Sequence, residues 1–137
     1  MAARTKARKR ALDLLFEAEQ RQVNTLALLK DRLAAPVTEA ALNEYTVTLI
    51  EGIVEHWTDI NEAITTYAHG WSLDRMPAVD RAILRLGAYE VLYSQDVPEP
   101  VAISEAVALA KDLSTDDSPK FVNGVLGRLL DVKPTLI

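Results

Sequence analysis

The sequence predicts an all-α fold, a compact bundle of about seven helices in a single domain over residues 1–137. Three observations carry this. Apolar residues recur at three- and four-residue steps almost throughout, and no stretch alternates as a half-buried strand would. Proline, glycine and short polar side chains cut that pattern at intervals typical of globular helices. The 137 residues are 49% apolar and 26% charged. That is enough for a real core and too little chain for two independent domains.

The first helix is predicted over 6–20, with Ala11, Leu14, Leu15 and Ala18 on one face and Leu12 and Phe16 beside it. Asn24 or Thr25 caps a second helix through Leu33, which Pro36 ends. Thr38 caps a third, where Leu42, Tyr45, Leu49, Ile53 and His56 recur on one face. On that face His56 reads as a packing residue, not a ligand. Thr58-Asp59 opens a fourth helix, and Glu62 stands three residues past Asp59 as in a capping box. Ile60, Ala63, Ile64 and Tyr67 form its apolar face, and His69-Gly70 ends it. Trp71 and Leu73 are expected to anchor the connector that follows.

Pro77 suits the first turn of a fifth helix over 77–94. That helix is apolar on most sides, which places it at the centre of the domain. Its charges, Asp80, Arg81, Arg85 and Glu90, either pair with neighbouring helices or mark a partner-facing edge. Val97-Pro98-Glu99-Pro100 forms a rigid connector to a sixth helix, which carries Ile103, Ala106, Val107 and Ala110 to about Leu113. After the polar loop 114–117, Ser118 caps and Pro119 opens a seventh helix with Val122, Val125, Leu126 and Leu129 inward. Gly124 and Gly127 stand in its middle, each costing about 1 kcal/mol against Ala. Close packing is the usual cause of such glycines.

The same residues exclude several functions. There is no Cys, so disulfides, thiol nucleophiles and thiolate metal sites are ruled out. His56 and His69 have no second His at ligand spacing, so no metal site is expected. No apolar run approaches a membrane span, and Asp13 and Glu17 interrupt the apolar stretch that a secretory signal would need. A cytoplasmic protein is expected. No phosphate-binding glycine loop, nucleophile elbow or zinc-protease motif occurs. The Asp116-Asp117 pair reads as a solvated region ahead of a helix. Neither an enzyme nor a cofactor is expected.

Charge is unevenly spread. The net charge is −5, yet five of the 15 basic side chains, Arg4, Lys6, Arg8, Lys9 and Arg10, stand in the first ten residues with no acid among them. A basic arm on an acidic body points to a polyanion, or else serves only as a solubilising terminus. Cations at a helix N-terminus oppose the helix dipole, which makes sense if the first turns order only against phosphate. At the start of the last helix, Phe121 could stack on a base and the backbone N–H groups could hold a phosphate. Lys120, Asn123, Gly124 and Gly127 make a polar, low-profile strip beside it.

Four segments carry a resemblance. They are Ala11-Leu12-Asp13-Leu14-Leu15-Phe16 behind the basic start, Asp80-Arg81-Ala82-Ile83-Leu84-Arg85-Leu86-Gly87-Ala88-Tyr89-Glu90, Val101-Ala102-Ile103-Ser104-Glu105-Ala106-Val107 with Ala110-Lys111, and Asp117-Ser118-Pro119-Lys120-Phe121-Val122-Asn123-Gly124-Val125-Leu126. In order, spacing and total length the chain resembles the NusB family of bacterial transcription antitermination factors. The resemblance implies two three-helix subdomains sharing one core, and a non-enzymatic activity. It implies binding to the boxA RNA element of nascent ribosomal transcripts together with ribosomal protein NusE, within the elongating RNA polymerase complex. RNA contacts would fall on Arg8, Arg10, Asp117, Lys120 and Phe121, with Arg4, Lys6 and Lys9 as further arm contacts. NusE contacts would fall on the exposed part of the central helix, at Asp80 and then Arg81 and Arg85.

The residues themselves add a mechanism. The arm neutralises phosphate without reading sequence. Phe121 and Asn123 are the candidates for base stacking and base-edge hydrogen bonds. Asp117 accepts from base or ribose donors, or only orients its neighbours. Ser104 stands where the family commonly has Asn, Pro119 where it has a polar residue, and Phe16 where some members have Tyr. Pro119 removes one backbone donor from the proposed phosphate site. The competing readings are a helical adaptor that binds only protein, and a relative of the N-terminal module of ribosomal RNA cytosine methyltransferases. A homodimer through the apolar face of the first helix is left open.

Overall fold

The computed structural model describes residues 2–35 and 42–136. Among these residues there are seven α-helices, one 3-10 helix at Leu73–Arg75 and no strand. The α-helices are α1 (Ala3–Arg21), α2 (Thr25–Ala34), α3 (Glu44–Glu55), α4 (Trp57–Tyr67), α5 (Ala78–Leu92), α6 (Glu99–Leu113) and α7 (Ser118–Leu136). The chain divides into two compact units, Met1–Glu55 and His56–Ile137. The expected division into three and three helices becomes three and four, because α4 packs on α5 and α7.

In the first unit α1 packs on α2 and α3, and α2 packs on α3. Ala7, Ala11, Leu14, Leu15 and Ala18 of α1, Leu28 and Leu29 of α2, and Leu49, Ile50 and Ile53 of α3 are all buried. These are the positions that three- and four-residue spacing selects. Helix α1 starts three residues earlier than its pattern suggests, with neither a side-chain cap nor an acid in its first turn. Tertiary contacts supply what the sequence lacks. Thr46 Oγ1 donates to the Ala7 carbonyl at 2.9 Å. The guanidinium groups of Arg4 and Arg8 lie 4.4 and 5.7 Å from the centre of the Tyr45 ring. The arm is therefore helical in the chain alone, not ordered only by phosphate.

Asn24 caps α2 as expected, its Oδ1 accepting from the Ala27 N–H at 2.9 Å. Glu17 ties α1 to α2, accepting from Arg32 at 2.6 and 2.9 Å and from Arg21 at 2.7 Å. The expected roles of Pro36 and Thr38 lie outside the described residues. At the start of α3, Asn43 Oδ1 accepts from the Tyr45 N–H at 2.7 Å.

In the second unit α5 packs on α4, α6 and α7, which gives it the central place expected of it. Ile83, Leu84, Leu86, Ala88 and Val91 are fully buried, as are Val122, Val125, Leu126 and Leu129 of α7. Gly87 is the glycine that packing requires. A Cβ there would stand 2.6 Å from Leu126 Cδ1 and 3.3 Å from Ala106 Cβ. The expectation for Gly124 and Gly127 is corrected. A Cβ at Gly127 meets nothing within 4 Å, and one at Gly124 meets only the Arg128 side chain at ordinary distance.

Some boundaries also shift. His56 takes the N-cap position of α4 without a side-chain cap bond, so the Asp59–Glu62 capping box does not form. Asp59 sits in the first turn instead, where a negative charge suits the helix dipole. The His56 ring stacks on Tyr93 at 3.7 Å and 8°, the packing role expected of it. Pro77 and Pro98 occupy N-cap positions, and α6 begins at Glu99, inside the expected connector. Pro100 falls in its first turn, where a missing N–H leaves no helix bond unmade. Among the described residues no helix is long and apolar enough to cross a membrane.

Candidate nucleic-acid interface

The basic arm belongs to the first unit and forms the first two turns of α1. Arg4, Lys6 and Lys9 are exposed, and Arg10 is half-buried. Lys9 Nζ lies 3.8 Å from the Asp13 carboxylate, an exposed pair four residues apart that solvent screens. Arg8 departs from expectation. It is only 3% exposed, because its side chain lies between α1 and the Tyr45 ring of α3. Its guanidinium orients the arm rather than presenting a charge to solvent.

The other expected RNA-binding residues belong to the start of α7 in the second unit. Asp117, Lys120 and Asn123 are exposed, and Phe121 is half-buried. The backbone there offers an anion few donors. The Ser118 N–H donates to the Thr115 carbonyl at 3.1 Å, the Phe121 N–H donates to the Asp117 carbonyl at 3.2 Å, and Pro119 has no N–H. Ser118 does not cap the helix with its hydroxyl either. That hydroxyl donates to Asp80 Oδ2 at 2.9 Å.

Asp80 heads a small polar network. Its Oδ1 accepts from the Ser114 hydroxyl at 2.5 Å, and the Thr115 hydroxyl lies 2.8 Å from Ser118 Oγ. Asp80, Thr115 and Ser118, with Trp71, Met76, Pro77, Asp117 and Phe121, line a cleft of about 270 Å³. The cleft brings together Asp80, Asp117 and Phe121 from the expected sites. No cationic side chain among the described residues lines it.

The exposure expected of the central helix is corrected at Asp80 and Arg85, and Arg81 is only partly exposed. Asp80 is 3% exposed and is held by Ser114 and Ser118. Arg81 is half-buried, and its Nη1 donates to the carbonyls of Leu73 and Met76 at 2.7 and 2.6 Å. Arg85 is buried, donates from Nε to Asn61 Oδ1 at 2.9 Å, and lies 4.3 Å from the centre of the Trp57 ring. The reason is the one that made the helix central. A helix surrounded by α4, α6 and α7 turns even its charged side chains inward, where they must be hydrogen-bonded.

Trp71 is the residue that sequence reasoning misplaces. It is 51% exposed and does not anchor its loop. Its ring meets Phe121 at 6.2 Å and 59°, edge to face, so the two rings leave no gap for a base between them. The exposed aromatic surface at the cleft is therefore that of Trp71. The available signal is an aromatic side chain next to Gly70, in a connector with few apolar neighbours.

The comparisons agree with one another. Residues 5–131 match the model of the NusB family. A transcription antitermination protein NusB from Beutenbergia cavernae is 58% identical over 144 aligned residues, covering 99% of this chain and 94% of that protein. The structure of T. maritima NusB superposes with a TM-score of 0.82 at 36% identity, covering 95% of this chain and 92% of that one. A structure of antitermination factors NusB and NusE in complex with double-stranded RNA gives a TM-score of 0.80 at 28% identity, covering 94% and 96%. With a match that spans both units and both candidate patches, the chain belongs to the NusB family of transcription antitermination proteins.

Proposed function

We propose that the chain is a non-enzymatic, cytoplasmic antitermination factor. It binds boxA RNA of nascent ribosomal transcripts together with NusE and joins the elongating RNA polymerase complex. The observation that carries this reading is the arm: five cations and no acid within ten residues, held as ordered helix by Tyr45 and Thr46. A relative of known structure assembles with NusE and RNA, which supports the same pairing here.

Arg4, Lys6, Lys9 and Arg10 neutralise phosphate, and Arg8 acts by positioning them. On α7 we assign Lys120 and Asn123 to RNA. Lys120 meets phosphate, and Asn123 offers both a donor and an acceptor to a base edge. Gly124 and Gly127 keep that strip low, which lets a strand approach the helix closely. A homodimer through the apolar face of α1 finds no support, since Ala11, Leu14, Leu15 and Ala18 are buried within the chain itself.

The test is a titration of labelled boxA RNA and a scrambled RNA, with and without NusE. Preference for boxA that tightens with NusE, and weakens when Lys6, Lys9 and Arg10 become Gln, is the expected result. Equal binding of both RNAs by wild type and variant would leave only the protein-binding adaptor.

A further inference from the structure

Arg128, in the middle of α7, is tied down by one nitrogen and open at the other two. It is half-buried, and its Nε donates to the Tyr67 carbonyl at 2.8 Å. Tyr67 is the last residue of α4, so that carbonyl has no partner within its own helix. A cation also suits the negative end of the helix dipole there. The contact thus has a structural reason, and it uses only one of the N–H groups of the guanidinium. Among the described residues the two Nη atoms make no hydrogen bond and no ion pair.

Gly124 marks where this group lies. A Cβ there would stand 3.4 Å from Nη1 and 3.8 Å from Nη2 of Arg128. The side chain therefore runs back toward the helix N-terminus and rests beside the bare Cα one turn earlier. That brings the guanidinium to the level of Gly124, about 6 Å along the axis from Lys120. Asn123 is exposed between them, and a Cβ at Gly127 would meet nothing within 4 Å. Along this low strip the helix offers a cation, an amide and a second cation. The two cations differ in kind. Lys120 is an exposed point charge on a flexible stem. Arg128 is already held at Nε, so it loses little freedom on binding and presents a fixed fork, which matches phosphate oxygens.

We propose that Arg128 is a phosphate contact that fixes the register of an RNA strand along α7, with Lys120 at a neighbouring phosphate. This rests on the reading that the α7 strip binds RNA. Labelled boxA RNA is titrated with NusE present at a series of salt concentrations. Wild type is compared with R128Q, R128K and the arm variant K6Q/K9Q/R10Q. NusE affinity without RNA and thermal unfolding are measured in parallel.

R128Q should lose about tenfold in RNA affinity, the worth of one charge-assisted hydrogen bond. The slope of its log affinity against log salt should shrink by about 0.7, one phosphate on a single strand. R128K keeps the charge without the fork, so it should keep the slope and lose less affinity. NusE affinity without RNA stays at the wild-type value. If R128Q loses RNA affinity with the slope of wild type, Arg128 acts only through the Tyr67 carbonyl and the proposal is overturned. It is also overturned if R128Q weakens NusE binding without RNA, because the occupant is then a carboxylate of the partner. If R128Q matches wild type while the arm variant weakens, the RNA reading stands and this inference alone is wrong. If wild type does not bind RNA at all, that reading fails and this inference fails with it.

Discussion

Tyr45 ties the arm to α3. Arg4 and Arg8 lie over its ring, in the first two turns of a helix that has no side-chain cap and no acid in its first turn. Y45F keeps the ring face and should keep the contribution of the two guanidinium contacts. Y45L keeps apolar bulk without the quadrupole and should lower stability by about 0.5–1 kcal/mol for each guanidinium over the ring, measured by urea unfolding. The sequence places Tyr45 on the inner face of its helix but does not show which cations lie against it, because the pairing joins residues about forty apart. The family resemblance and the run of cations put Arg8 among the expected RNA contacts, and only the packing of α1 on α3 shows it buried.

Glu17 gives the first unit a pH response. Hydrogen bonds from Arg32 and then Arg21 hold its carboxyl at about 2, below the usual value of 4.5. The ionised form is therefore favoured by folding. Its contribution is complete above 4.5 and is lost as the pH falls from there toward 2. E17Q should flatten that part of the stability curve and cost at most about 1 kcal/mol at neutral pH, since the carboxylate is partly exposed to solvent. Chemical denaturation at a series of pH values checks both statements.

At the scale of elements, periodicity makes all seven helices and most of their inner faces legible. The ends are less so. The α4 start and the α7 cap follow tertiary hydrogen bonds and packing rather than the local capping signals of Asp59 and Ser118. Glycine shows the same limit. Gly87 is tight against Leu126 and Ala106, whereas Gly127 faces open space, and nothing local in the sequence separates the two. G87A should destabilise by about 1–3 kcal/mol through overpacking. G127A should stabilise by about 0.5–1 kcal/mol through helix propensity. Thermal unfolding distinguishes these signs. If the α7 strip lies against RNA, G127A gains stability while losing RNA affinity, a combination that a purely structural glycine would not give.

For the molecule as a whole, charge asymmetry is the most informative sequence feature, and the structure adds chemistry to it. The exposed cations of α1 lie in one unit, and a cleft lined by the carboxylates of Asp80 and Asp117 lies in the other. The cleft is invisible in the sequence because Trp71, Asp80, Thr115 and Asp117 come from three separate segments. Polyelectrolyte behaviour gives the arm a quantitative signature. For every phosphate that Lys6, Lys9 and Arg10 neutralise, their replacement by Gln should reduce the slope of log affinity against log salt by about 0.7 for single-stranded RNA. A slope identical to wild type would mean that the arm does not touch phosphate.

RNA binding that serves antitermination is tested most directly by terminator read-through. Purified RNA polymerase transcribes a template carrying boxA, with NusE, and with either wild type or the K6Q/K9Q/R10Q variant. Wild type should raise read-through only when both boxA and NusE are present, and the variant should lose most of the effect. Read-through that is unchanged by wild type, or raised equally without boxA, would contradict it.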